Sequence, residues 1–131
     1  LVLRDLDLFR GAKHLEVGLR VTTADDRVRK LFEPLAPAID DRVQALDELH
    51  RAGIRTYAMI APLLPGAEDL AERLAGKVDF VLVDRMNHDY GNWVYRKYGL
   101  GEAHSDAFFR QTAGALASAF EDLDVPCRVV F

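Results

Sequence analysis

Cysteine is almost absent from this 131-residue chain: Cys127 stands alone. That excludes an internal disulfide and any cluster held by cysteines of these residues, and it suits a reducing cytoplasm. No apolar run approaches the roughly 20 residues that a membrane-crossing helix needs. The opening Leu1-Val2-Leu3-Arg4-Asp5 is interrupted by charge too soon for a secretory leader. A basic surplus is missing as well, with 17 Lys and Arg against 21 Asp and Glu, a net charge of −4. Phosphate neutralisation supplies most nucleic-acid affinity, so the charge balance does not support a main DNA-binding surface here. The four histidines (His14, His50, His88, His104) have no HExxH-type spacing, and no metal site is expected. Nor is there a visible nucleophile–base pair to suggest a hydrolase.

What remains is an ordinary globular composition, 50% hydrophobic and 29% charged. The length predicts one domain over residues 1–131, large enough for a core but too short for a whole (β/α)8 barrel. Because it opens on Leu1 rather than Met, the chain reads as a cut from something longer. Val17 to Val21 reads as a strand, with Val17, Leu19 and Val21 on one face and Gly18, Arg20 and Thr22 on the other. Thr23-Ala24-Asp25-Asp26 then favours a helix start before Val28, Leu31 and Phe32, and Pro34 and Pro37 end that helix. Asp40 and Asp41 open a second helix with Val43, Leu46 and Leu49 as its apolar stripe and Gly53 as its cap. Ile54 to Ile60 and Val78 to Val83 are the next strands, the latter apolar throughout, as in a strand buried on both faces. A third helix, about Glu68 to Ala75, lies between them.

Trp93 to Tyr98 predicts a short helix and Ser105 to Asp122 the longest one, with Phe109, Ala113, Leu116 and Phe120 inward. A last strand covers about Cys127 to Phe131. Four alternations of strand and helix predict an α/β fold with about four parallel strands and right-handed crossovers.

In such sheets, sites form in the loops that follow the strands. Those loops are Thr22 to Asp26, Ala61 to Gly66, and the aromatic-rich stretch from Asp84 onward. Asp84 either binds a ligand or caps its own turn. Arg20, one step before a strand end, needs a carboxylate such as Glu33 or Asp84, or an anionic ligand, if it is buried. Arg42 beside Asp40 and Asp41 reads as a solvated ion pair. Trp93, Tyr95 and Tyr98 read either as stacking residues or as core. Cys127 reads as an inert core residue.

The ordered string Leu3-Arg4-Asp5-Leu6-Asp7-Leu8, Val21-Thr22-Thr23-Ala24-Asp25-Asp26, Phe32-Glu33-Pro34-Leu35-Ala36-Pro37, Arg42, Gly53-Ile54, Ala61-Pro62-Leu63-Leu64-Pro65-Gly66 and Val83-Asp84-Arg85-Met86-Asn87 covers nearly the whole chain. It resembles the second half of the spore-photoproduct-lyase-like radical S-adenosylmethionine (SAM) proteins. The pair E-P-x-x-P and P-x-x-P-G after two strands is its most specific part. The resemblance implies a partial TIM-like barrel in which a [4Fe–4S] cluster, bound by a CxxxCxxC loop, cleaves SAM to a radical that abstracts hydrogen from a substrate.

None of those cysteines is here, so the cluster would be held by the remainder of the polypeptide. The strands would be the fourth, fifth and sixth of the barrel, placing Arg20, Thr22, Thr23, Met59, Pro62 and Asp84 at SAM. Arg20 departs from the small hydroxyl residue of the family pattern, although an arginine can bind the SAM carboxylate directly. The family also implies a nucleic-acid substrate for some members, against the charge balance above. The rival reading is a stand-alone α/β binding domain without catalysis. On either reading, the sheet edge at Val17–Val21 is expected to be unpaired and prone to association.

Overall fold

The computed structural model describes residues 1–131. Its sheet has four parallel strands, β1 (Glu16–Arg20), β2 (Arg55–Ile60), β3 (Phe80–Val83) and β4 (Cys127–Val129), lying side by side in chain order. Six helices accompany them: α1 (Leu6–Gly11), α2 (Asp26–Phe32), α3 (Ile39–Arg51), α4 (Leu70–Leu74), α5 (Asn92–Lys97) and α6 (Asp106–Asp122). The predicted α/β class and parallel sheet are present. Burial alternates along β2 and β3, whereas Val17, Gly18 and Leu19 of β1, where the sequence predicts alternation, are all half-buried. Helix α1 and the short 3-10 turn before it (Val2–Asp5) were not predicted, since neither buries a residue that would give an apolar period.

Local chemistry sets most boundaries. Asp25 caps α2 by accepting from the Arg27 N–H at 2.8 Å, and Ser105 caps α6 by accepting from Phe108 N–H at 3.1 Å. Gly53 and Gly76 follow helices with positive φ, +82° and +73°, as a left-handed cap requires. The predicted third helix is split, with a 3-10 turn over Ala67–Asp69 before α4.

One face of the sheet carries the core. Ala58, Ile60, Val81 and Val83 form a single cluster with Val43 and Leu46 of α3, Leu70 and Leu74 of α4, and Phe109, Leu116 and Phe120 of α6. At about 25 cal/mol per Å² of apolar area removed from water, this face dominates the stability. The opposite face is not covered by a helix. There the register aligns Gly18, Tyr57 and Phe80 in one row, then Arg20, Met59, Leu82 and Arg128 in the next.

Tyr57 stacks on Phe80 with centroids 5.0 Å apart, and its ring lies over Gly18, where a Cβ would meet Cζ at 2.2 Å. Gly18 is therefore a packing requirement of its neighbour. This open face corrects the expectation for β3: Val81 and Val83 are buried while Phe80 and Leu82 are half-exposed. An apolar run alone does not say whether both faces are covered by the same chain.

Candidate functional site

Beyond Arg20 the chain turns inward, and Val21, Thr22 and Thr23 are fully buried. Thr22 Oγ1 donates to Glu33 Oε2 at 3.0 Å. Thr23 Oγ1 donates to the Pro65 carbonyl at 2.6 Å and accepts from Asp25 N–H at 3.0 Å. Backbone bonds tie the three strand ends together: Ala24 N–H to the Gly66 carbonyl (3.0 Å), Leu64 N–H to that of Thr22 (3.2 Å), and Leu63 N–H to that of Asp84 (2.9 Å). Gly66 has φ +82°, and a Cβ there would come within 3.0 Å of Thr23 Oγ1. The P-x-x-P-G turn is thus joined to the end of β1, which is why its glycine is needed.

The strand ends and the segment after β3 enclose a cleft of about 450 Å³. Arg20, Met59, Pro62 and Asp84 line it. Thr22 and Thr23 do not; the structure places them behind its wall, where their hydroxyls hold Glu33 and the Pro65 turn. Arg20 and Met59 are register partners on the open face. Asp84 accepts from Arg85 N–H (2.8 Å) through Oδ1 and from Asn87 Nδ2 (2.9 Å) through Oδ2. It both caps its turn and presents a carboxylate to the cleft.

Arg20 takes its exposed alternative, and Arg42 differs from expectation. Arg20 has neither Glu33 nor Asp84 as partner; it is exposed, so no burial penalty demands one. Arg42 is not a solvated ion pair with Asp40 or Asp41 but is buried, 9% exposed. Its Nε donates to the Pro37 carbonyl (3.1 Å), Nη1 to that of Arg20 (2.9 Å), and Nη1 and Nη2 both to Glu33 Oε2 (3.2 Å each). Buried Arg29 complements it, binding Asp26 through two nitrogens (2.7 and 3.0 Å) and the carbonyls of Glu33 and Ala36 (3.1 and 2.7 Å). The Arg29 hydrogen bonds, with help from Ile39 N–H, hold the Asp26 carboxyl down at about 2. Hence E-P-x-x-P is a loop clamped by two guanidinium groups, and Glu33 is the clamped residue that reaches the cleft. The sequence reading missed that role, although Glu33 heads the motif.

The outer wall comes from the long loop and α5. Tyr90 (82% exposed) and Trp93 (61%) stand at the cleft, whereas Tyr95 is buried, stacked on His104 at 4.7 Å and edge-on to Phe32 at 4.8 Å. Tyr98 is also exposed, at 43%, so the trio Trp93, Tyr95 and Tyr98 divides between surface and core. The Tyr95 hydroxyl has no hydrogen-bond partner, and burial pushes its pKa up to about 12. Cys127 is half-buried beside the core, and burial raises its thiol pKa. No three His, Cys, Asp or Glu side chains lie together in a way that could hold a metal ion. No helix is long and apolar enough to cross a membrane.

No protein-family model matches the chain, and no solved structure matches it. It is similar to an uncharacterized protein of Methanocaldococcus jannaschii, MJ0683, with 40% identity over 70 residues, or 53% of this chain. The matched region spans 27% of that relative's length.

Proposed function

We propose that this chain is the C-terminal part of a radical SAM enzyme barrel, supplying one wall of the cofactor and substrate cleft. The observation that carries this reading is the convergence of Arg20, Met59, Pro62 and Asp84, from three successive parallel strand ends, on one cleft. Strand order equal to chain order, with one face left open, also suits an arc of a (β/α) barrel better than a doubly wound sheet, whose order reverses.

The residues present fit SAM. The Arg20 guanidinium has no protein carboxylate to neutralise it and would take the methionyl carboxylate. Met59 and Pro62 offer apolar surface to adenine, and Asp84 an acceptor beside it. Thr22 and Thr23 act from behind as positioning residues. The residues do not fit a [4Fe–4S] cluster: one half-buried cysteine and no ligand group leave its thiolates to another part of the polypeptide. When bound, the cofactor pair supplies hydrogen-atom abstraction; this chain binds, orients and excludes water.

The test is anaerobic reconstitution of the full-length polypeptide with iron and sulfide. A brown protein holding one [4Fe–4S] cluster and releasing 5′-deoxyadenosine from SAM is the expected result, together with a CxxxCxxC upstream of Leu1. A colourless, iron-free product refutes it, and one that still binds SAM identifies a binding domain instead.

A further inference from the structure

We propose that the same cleft takes a ligand with an organic ammonium group, anchored by Glu33 and walled by the aromatic rings of Phe32, Tyr90 and Trp93. A carboxylate that serves only an internal ion pair meets arginine best as a fork, one nitrogen to each oxygen. Glu33 is held otherwise. Both Arg42 nitrogens and the Thr22 hydroxyl converge on Oε2, and no protein donor reaches Oε1. The donors are themselves fixed, Thr22 by full burial and Arg42 by two carbonyls. The Glu33 side chain is 20% exposed and lines the cleft. The result is a preset carboxylate, already paired with Arg42, whose Oε1 keeps unused acceptor capacity toward the cleft.

Three aromatic residues line the same cleft, and two of them are far more exposed than large rings usually are. A carboxylate among aromatic faces is the chemistry that selects a cation, since ring quadrupoles and the acid act in the same direction. Four cations stand near: Arg42 pairs with Glu33 Oε2 at 3.2 Å, Arg85 pairs with Asp106 at 2.8 Å, and Arg20 is solvated. The fourth, Lys97 Nζ, lies 6.0 Å from the Trp93 ring centroid, where a ligand cation would have to displace it or use the other face.

This goes beyond the cofactor reading and is tested separately. Trp93 is the only tryptophan of these 131 residues, so in this chain its indole emission and indole N–H resonance report the cleft alone. The probes share one ring: benzylammonium, benzyl alcohol and benzoate at pH 7. Benzylammonium is expected to bind about tenfold tighter than benzyl alcohol, with benzoate weakest, and high salt should narrow the gap. Glu33→Gln should abolish the preference. Tyr90→Ala, an exposed position, should weaken all three without changing their order.

Equal binding of the three, a preference for benzoate, or a folded Glu33→Gln protein that keeps the cation preference overturns the proposal. The wild-type ranking decides even if Glu33→Gln does not fold. Tighter binding of an oligothymidylate than of benzylammonium would also overturn it, in favour of a nucleic-acid strand. Loss of iron in the reconstituted full-length protein would refute the cofactor reading and leave this ranking untouched.

Discussion

Replacing Arg42 by alanine removes a guanidinium that is buried and donates to two carbonyls and to Glu33. The Glu33 carboxylate, four-fifths buried, would then keep only the Thr22 hydroxyl. Breaking a buried pair by deleting one partner costs about 3–5 kcal/mol, and the partial exposure of Glu33 places this case near about 3. The two abandoned carbonyls, Pro37 and Arg20, add to the loss unless water reaches them. For a domain of this size, about 3 kcal/mol lowers Tm by roughly 10 °C.

The assay is thermal and urea unfolding followed by far-UV circular dichroism, with Arg51→Ala as the control. Arg51 makes an exposed pair with Asp47 at 3.0 Å, and its loss should cost no more than about 0.5 kcal/mol. If Arg42→Ala and Arg51→Ala unfold alike, within about 0.5 kcal/mol of the parent, the clamp on Glu33 has no energetic substance.

Three further outcomes are expected. Gly18→Ala should cost about 1–3 kcal/mol, because the new Cβ meets Tyr57 at 2.2 Å and the ring is backed by Phe80; combining it with Tyr57→Ala should give less than the sum of the single losses in a double-mutant cycle. The Asp26 pKa is lowered to about 2 from the usual 3.8 by its Arg29 hydrogen bonds, so its stabilisation is complete above about pH 4 and vanishes as pH falls through 2; acid unfolding of Asp26→Asn should lack that limb between pH 4 and 2. Tyr95→Phe removes a buried hydroxyl with no partner and should raise stability by about 1 kcal/mol at neutral pH in chemical denaturation. Because the Tyr95 pKa is raised to about 12, the parent should also lose stability from pH 10 upward, and the phenylalanine variant should lose less.

The parts of the fold that could be read from sequence were those fixed within a few residues. Alternation found β1, and the Asp25 and Ser105 caps and the positive-φ Gly53 marked helix ends. Arg42 defeated that reasoning because its partners lie 5, 9 and 22 residues away, while two aspartates stand beside it. Thr22 and Thr23, which the resemblance implies at the cofactor, lie behind the cleft wall, because the chain turns inward where β1 ends at Arg20. The exposure of β3's second face depends on what else covers the sheet, which no pattern within Phe80–Val83 encodes.

The two walls of the cleft obey different physics, and this bears on how any activity should respond to mutation. The inner wall, from the ends of β1 and β2 and the E-P-x-x-P loop, is cross-linked by backbone bonds and two buried arginines. Its carboxylate is preorganised, so a ligand meets Glu33 without reordering it, whereas the solvated Arg20 must be ordered on binding. The outer wall, from Asn87 to Trp93, is mostly exposed and carries its rings at the surface. Substitutions behind the inner wall, at Thr22 or Arg42, should therefore lower stability and binding together. Substitutions at Tyr90 should alter binding with Tm unchanged. Plotting affinity against Tm for both sets separates the walls, and a single line through all variants would show that the cleft behaves as one structural unit.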